Sequence, residues 1–249
     1  MKPLKIVLND VSVNYGNIHA LKKLNLTIND GDYIGIIGPN GGGKSTMMKS
    51  ILGLIKPNSG EISYCGTTLR KSHIKMGYVP QISDINPMFP ITVEEVVLMG
   101  RMEKAVKAFF KYSEEDKRAV AEVLDIVGLK EQKDRQISEL SGGEFQKMII
   151  ARALTMKPDI LLLDEPTAMV DVMSQRQIFN LIKKLSEDIT IVLITHHVQM
   201  ISKNVKKLIY LDKNIIAEGD PNEVYQYAYI RPVHKQIKRS IHQRGVKNV

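Results

Sequence analysis

The stretch that decides the fold is Tyr33-Ile34-Gly35-Ile36-Ile37-Gly38-Pro39-Asn40-Gly41-Gly42-Gly43-Lys44-Ser45. An apolar run of strand length breaks into glycines and leads into the helical stretch Thr46 to Leu54. Positions 38 to 45 match G-x-x-x-x-G-K-[ST] in the strand-to-helix context that a phosphate-binding loop requires. Glycines let the chain turn so that successive backbone N–H groups point inward. The following helix adds the partial positive charge of its N-terminus, and the result is a nest for polyphosphate. Lys44 is placed to reach β- and γ-phosphate oxygens, and Ser45 to offer its hydroxyl to Mg²⁺.

Outward from this loop, Lys5 to Leu8, Lys75 to Val79, Ile160 to Leu163 and Ile189 to Thr195 also read as strands, alternating with helical patterns. Such alternation predicts an α/β fold with a largely parallel sheet. The nearly continuous apolar runs Ile160 to Leu163 and Ile189 to Ile194 fit central strands covered on both faces. Between Pro90 and Lys157 the pattern turns to helix after helix, which predicts a helical insertion in the α/β core. Thr92-Val93-Glu94-Glu95 and Ser141-Gly142-Gly143-Glu144 fit capping boxes, and Ser113 is followed by three acids in a first turn. Ile160-Leu161-Leu162-Leu163-Asp164-Glu165 delivers two carboxylates at a strand's C-terminal end, where open α/β sheets place ligands. Asp164 suits the Mg²⁺ shell, directly or through water. Glu165 suits the polarisation of an attacking water, as general base or as electrostatic orienter.

The chain has 249 residues, 35 Lys+Arg against 27 Asp+Glu, a net charge of +8 and a pI near 9.3. Hydrophobic residues at 43% and charged residues at 25% exclude disorder for the bulk of the chain. Cys65 is the only cysteine, so neither an intrachain disulfide nor a cysteine-based zinc site can form, as expected in a reducing cytoplasm. No run reaches signal-peptide or membrane-spanning length. The basic balance invites a nucleic-acid reading, yet residues 231 to 249 hold Arg231, Lys235, Lys238, Arg239, Arg244 and Lys247 and no acid. Without them residues 1 to 230 carry +2. The end reads as a solvated basic tail, of a sign that could lie against an anionic membrane surface. His234 and His242 in it lack the neighbours of a metal site.

Leu140-Ser141-Gly142-Gly143-Glu144-Phe145-Gln146-Lys147 resembles the LSGGQ-type signature of ATP-binding-cassette (ABC) ATPases, with Glu144 in place of the usual Gln. The resemblance runs in order through residues 4 to 230: Tyr15, the P-loop, Gln81, the signature, Asp164-Glu165, Asp171 and His196. It implies a P-loop NTPase core of RecA-like α/β type, an N-terminal antiparallel β portion, and a helical subdomain at about 90–157 within an ATPase domain of residues 1–230. Implied catalytic residues are Glu165, His196 and Gln81. Gln81 would touch Mg²⁺ or the lytic water, and His196, rather than its neighbour His197, would position that water and bond the γ-phosphate. Tyr15 would stack on adenine. Gly38, Pro39, Asn40, Gly41, Gly42, Gly43, Lys44, Ser45 and Thr46 would hold ATP from one subunit and the signature residues Ser141, Gly142 and Gly143 from the other, with Asp171 also among the nucleotide-binding residues. Ser45, Gln81 and Asp164 would serve Mg²⁺. The implied assembly is a head-to-tail homodimer with two composite sites, closed by ATP and released by hydrolysis. Ala168-Met169-Val170 before Asp171 and His197 after His196 depart from the commoner family residues.

A chain of this length without a membrane span resembles the separate ATPase subunit of a transporter, peripheral on the cytoplasmic face of the cell membrane. Phe89 to Arg101, with Pro39 to Lys44 and Met169 to Val172, is similar to zinc/manganese/iron importer ATPases. That similarity implies integral-membrane permease subunits docked near Phe89 to Arg101, an extracytoplasmic substrate-binding protein, and no nucleic acid. The other readings left open are an importer ATPase for chelated iron or another small cargo, and a soluble nucleic-acid-associated ABC ATPase.

Overall fold

A computed structural model describes residues 4–81, 88–102, 111–168, 170–201 and 204–227. The basic tail with its two histidines, and Met169, lie outside the described residues. In chain order the elements are β1 (Lys5–Tyr15), β2 (Ile18–Asn29), β3 (Tyr33–Ile37), α1 (Lys44–Ile51), β4 (Ser59–Tyr64), α2 (Leu69–Ser72), β5 (Met76–Val79), α3 (Val93–Leu98), α4 (Glu114–Val127), α5 (Gly142–Leu154), β6 (Ile160–Asp164), α6 (Val172–Leu185), β7 (Thr190–Ile194), α7 (Val198–Ile201), β8 (Lys207–Asp212), β9 (Asn214–Gly219) and α8 (Pro221–Tyr225). β1 and β2 meet at the tight Gly16-Asn17 turn, and β1 lies between β2 and β4 in a three-stranded sheet.

Two compact units share the chain. The first comprises Met1–Val7, Thr27–Asp32 and Ser63–Thr195. Its strands run β5-β6-β7, all parallel, with Met76 opposite Ile160 and Ile160 opposite Thr190. Every residue of β6 and of β7 is buried, as their continuous apolar runs predict. Helix α5 packs against α3, α4, α6 and β5. It buries Phe145, Met148, Ile149, Ile150, Ala151, Ala153 and Leu154, and α4 contributes Val120, Val123, Leu124 and Val127. From 90 to 157 there is no strand among the described residues, only a single bridge between Thr92 and Gln136.

Reciprocal capping boxes start three of these helices: Thr92 with Glu95, Ser113 with Asp116, and Ser141 with Glu144. Asp116 also takes the Nε–H of Arg101 at 2.7 Å, while the Arg101 Nη1–H donates to the Thr155 carbonyl at 3.0 Å. One guanidinium thereby ties the start of α4 to the end of α5.

The second unit comprises Leu8–Leu26, Tyr33–Ile62 and His196–Val249. Here β3 pairs parallel to β8, Ile34 opposite Lys207, and β8 pairs antiparallel to β9. Gly35 makes room for α7, because a Cβ there would stand 2.8 Å from the Ile201 Cδ1. Helix α1 differs from the expected Thr46 to Leu54 at both ends. It begins at Lys44, because Gly43 takes the N-cap place, and closes when Gly53 and Leu54 donate to the Ser50 and Lys49 carbonyls.

The Arg101 guanidinium, and after it the Ser113 hydroxyl and N–H, hold the Asp116 carboxyl down to about 2. A depressed carboxylate stabilises the fold above its ordinary pKa and loses that contribution as pH falls through its folded value. Asp116→Asn should therefore lower the urea midpoint relative to the parent above about pH 5, and the difference should shrink as pH approaches 2. Urea melts of both proteins across that range check it; a difference independent of pH would contradict the ion pair.

Candidate functional site

In the second unit the loop from Gly38 to Lys44 joins β3 to α1 and folds around its own lysine. The Lys44 Nζ donates to the carbonyls of Gly38 at 3.0 Å and Pro39 at 2.9 Å, and the residue is only 6% exposed. The Gly42 N–H turns the loop by donating to the Pro39 carbonyl at 3.0 Å. Pro39, Asn40 and Gly41 are exposed, whereas Ser45 and Thr46 are half-buried in the first turn of α1.

Among the longer described helices, the start of α1 stands apart. α4, α5 and α6 take side-chain caps from Ser113, Ser141 and Asp171. α1 has no side-chain cap and no acid in its first turn. Its leading N–H groups carry the helix's partial positive charge without a carboxylate or hydroxyl set against it, the arrangement that favours an anion.

The glycines of the loop also answer to packing that the sequence does not reveal. A Cβ on Gly38 would collide with the Leu211 carbonyl oxygen, and one on Gly43 with the Ala20 carbonyl oxygen. On Gly42 it would stand 2.9 Å from both the Leu211 and Pro39 carbonyl oxygens. Gly38, Gly41 and Gly43 have φ of 150°, 75° and 90°, which only glycine adopts without strain. The loop is thus wedged between the main chains of β2 and β8, whose residues lie far away in sequence.

Tyr15, 51% exposed, ends β1 at the hairpin turn, across which Ile18 opens β2 and is 68% exposed. His19 Nδ1 and Asn14 Oδ1, 2.7 Å apart, brace the hairpin around Tyr15. The sequence signals this face only through a bulky apolar residue three positions after Tyr15, and it carries no signal for the brace. His196 and His197 are both exposed, immediately before α7.

In the first unit the structure brings two of the expected catalytic residues together. The Gln81 Nε2–H donates to Glu165 Oε2 at 3.3 Å. Asp164 is the last residue of β6 and is buried, while Glu165 just beyond it is half-buried. Glu165 holds φ of 50°, a left-handed conformation that costs a non-glycine residue free energy. Its N–H donates to the Ile194 carbonyl at 3.0 Å, and its own carbonyl accepts the Ala168 N–H. Those two main-chain bonds turn the chain at the strand end.

Ser141 and Asp171 are engaged locally. The Glu144 Oε2 accepts from the Ser141 N–H at 2.9 Å and from its hydroxyl at 2.7 Å. Those Ser141 hydrogen bonds, side chain first, lower the Glu144 pKa. The residue that departs from the signature therefore sets a carboxylate against the helix start that the sequence presents as an anion site. Asp171 Oδ1 caps α6 by accepting from Met173 and Ser174, both at 3.0 Å. Gly142 is exposed, but Gly143 is buried, and a Cβ on it would stand 2.6 Å from the Ser174 Cβ. Gly143 is thus a packing glycine between α5 and α6, and it connects the signature to the residue that Asp171 caps.

The family profile described as ABC transporter matches residues 21–168. A protein of Cyanophora paradoxa named "Probable ABC transporter ATP-binding protein in ycf23-apcF intergenic region" is 43% identical, over 86% of this chain and 88% of its own. The zinc uptake system ATP-binding protein ZurA of Listeria innocua is 40% identical over 89% and 88%. The manganese transport system ATP-binding protein MntB of Halalkalibacterium halodurans is 38% identical over 90% and 89%. Among solved structures, a nucleotide-free ATP-binding cassette of an ABC transporter superposes with a TM-score of 0.80 at 26% identity, covering 90% of this chain and 94% of that one. An ADP-bound cassette gives 0.76 at 27% identity, covering 91% and 94%. A dimeric bacterial cassette gives 0.71 at 32% identity, covering 87% and 98%. With a profile match over more than half its length and relatives this similar from end to end, the chain belongs to the ABC transporter family, as one of its nucleotide-binding ATPase cassettes.

Proposed function

We propose that this chain is the ATPase subunit of an ABC importer for a divalent transition metal, zinc or manganese in the first place. The observation that carries the ATPase part is the uncapped, acid-free start of α1 behind a glycine loop that encircles Lys44. The cargo part is supported by the zinc and manganese systems that name the relatives. Metal is substrate here.

Local geometry supports part of this division of roles. Lys44 exchanges its two carbonyl acceptors for phosphate oxygens, a stronger charge-assisted pairing. The α1 N–H groups bind the polyphosphate, and Tyr15 with Ile18 offers an exposed apolar face to the base. Ser45, Gln81 and Asp164 carry the hard oxygen donors that Mg²⁺ takes, and the buried Asp164 is a carboxylate whose charge a cation would offset. Mg²⁺ would supply neutralisation of the developing phosphate charge. Glu165, oriented by the Gln81 amide, accepts the proton of the attacking water or holds that water in line, and His196 steadies the γ-phosphate. Two copies combine head to tail, Ser141 of one facing the ATP of the other, and the assembly works on the cytoplasmic face of the membrane. Exposed Met88, Phe89, Met99 and Met102 offer apolar surface to a permease, which would in turn receive metal from an extracytoplasmic binding protein.

Glu165→Gln should slow ATP hydrolysis by roughly 10²–10⁴-fold while nucleotide affinity stays near parental, and Lys44→Ala should weaken that affinity. Steady-state turnover and nucleotide titration of the purified chain measure both; a Glu165→Gln protein that hydrolyses at the parental rate overturns the catalytic assignment. For cargo, ATPase activity of the complex reconstituted with its permease and binding protein should rise with zinc or manganese. Stimulation by a chelated iron or an organic solute alone would overturn the metal reading.

A further inference from the structure

The glycine loop is held from outside by the turn between β8 and β9. Lys213 is the single residue between Asp212 and Asn214, which pair across that hairpin, and it sits at φ of 59°. Its N–H donates to the Gly42 carbonyl at 2.8 Å, and its own carbonyl accepts the Lys22 N–H of β2 at 2.7 Å. The same hairpin places the Leu211 carbonyl against Gly38 and Gly42. Main-chain hydrogen bonds thus run from β2 through the hairpin to the loop.

A trans peptide is planar, so its C=O and the following N–H point in opposite directions. The chain has no cis peptide among the described residues. Fixing the Gly42 carbonyl on Lys213 therefore fixes the Gly43 N–H toward the other side of the loop. The Gly42 N–H is committed to Pro39, and Lys44 Nζ lies among the carbonyls of Gly38 and Pro39. That leaves the Gly43 N–H, at the very start of α1, as a donor whose direction is set by a residue 170 positions later. Left to itself, a peptide between two glycines rotates freely.

We propose that Lys213 is a positioning residue for the phosphate loop, its main-chain N–H presetting the Gly42–Gly43 peptide so that the Gly43 N–H meets a phosphate oxygen. The inference rests on the nucleotide reading above and adds a residue to it. The work is done by a backbone N–H presented at positive φ, so the side-chain ammonium is dispensable. A donor oriented in advance lowers the cost of binding and contributes equally to ground and transition states, which raises affinity without changing the chemical step.

The test is titration of the full chain with MgATP and MgADP, together with KM, kcat and thermal melting, for the parent, Lys213→Gly, Lys213→Pro and Lys213→Ile. Proline removes the N–H and cannot adopt positive φ; isoleucine keeps the N–H but resists that φ. Lys213→Pro should weaken both nucleotides by roughly tenfold to a hundredfold, the scale of one charge-assisted hydrogen bond. KM should rise with it while kcat holds, and Lys213→Gly should restore parental affinity. If the proline variant does not melt cooperatively, Lys213→Ile decides, with the same expected direction. A parent that binds nucleotide and a folded variant that matches it within about twofold overturns the role of Lys213 alone. A loss shared by Lys213→Gly also overturns it, since the ammonium would then be responsible. A parent that binds no nucleotide overturns this inference and the reading beneath it.

Discussion

Backbone crowding around residues 38 to 43 is the constraint on which the nucleotide end of the protein rests. In the function proposed above phosphate is bound by main-chain N–H groups, and a main chain can present them only if no side chain intervenes. Here the side chains are excluded twice, by positive φ at Gly38, Gly41 and Gly43 and by the carbonyls of Leu211 and Ala20 pressed against the loop. The loop is consequently held between fixed walls rather than free to sample the many shapes open to glycine. Such a donor set costs little to organise when an anion arrives, which is the condition for electrostatic binding to be strong. The same economy explains why α1 alone of the longer described helices carries no side-chain cap: a serine or aspartate at its start would compete with the ligand.

The carboxylate end is organised by a different device. Two parallel strands buried on both faces, β6 and β7, stop where Glu165 turns into a left-handed conformation and bonds back to Ile194. The apolar packing of these strands, and of α5 beside them, supplies the stability against which one strained residue is affordable. In return Asp164 stays at the buried strand end while Glu165 meets Gln81. The signature helix adds a third arrangement, in which Glu144 holds both Ser141 donors and Gly143 lets α6 approach. A phosphate reaching Ser141 would have to share it with that carboxylate, a consequence of the one signature position where this chain carries Glu in place of Gln.

Much of this was legible because the signals are local. β6 and β7 carry the unbroken apolar runs Ile160 to Leu163 and Ile191 to Ile194, and the capping boxes that begin at Thr92 and at Ser141 each span only four consecutive residues. The loop's identity follows from eight consecutive residues. What escaped the sequence depends on distant partners or on interrupted patterns. In β2 the alternation of Leu24, Leu26 and Ile28 is broken by Lys23 at φ of 47°, and the β8–β9 turn puts a lysine where a glycine would have advertised it. β9 buries no residue fully, so it carries no clear hydrophobic period. The helix after the loop starts two residues earlier than its apolar pattern suggests because the cap is a glycine. Gly38, Gly42, Gly43 and Gly143 could be read as loop and helix-start residues, but not as contacts with Leu211, Ala20 and Ser174. The net charge of +8, which at first points to nucleic acid, belongs mostly to the last nineteen residues.

The account stands on the claim that nucleotide is held by the main chain at the start of α1. Amide hydrogen exchange of the full chain, followed residue by residue with and without MgADP, tests this most directly, since ADP binds without turnover. The N–H groups of Gly41, Gly43, Lys44, Ser45 and Thr46 should gain protection together, with that of Lys213 protected in both states. Saturating nucleotide that protects residues elsewhere and leaves 41 to 46 unchanged would contradict it.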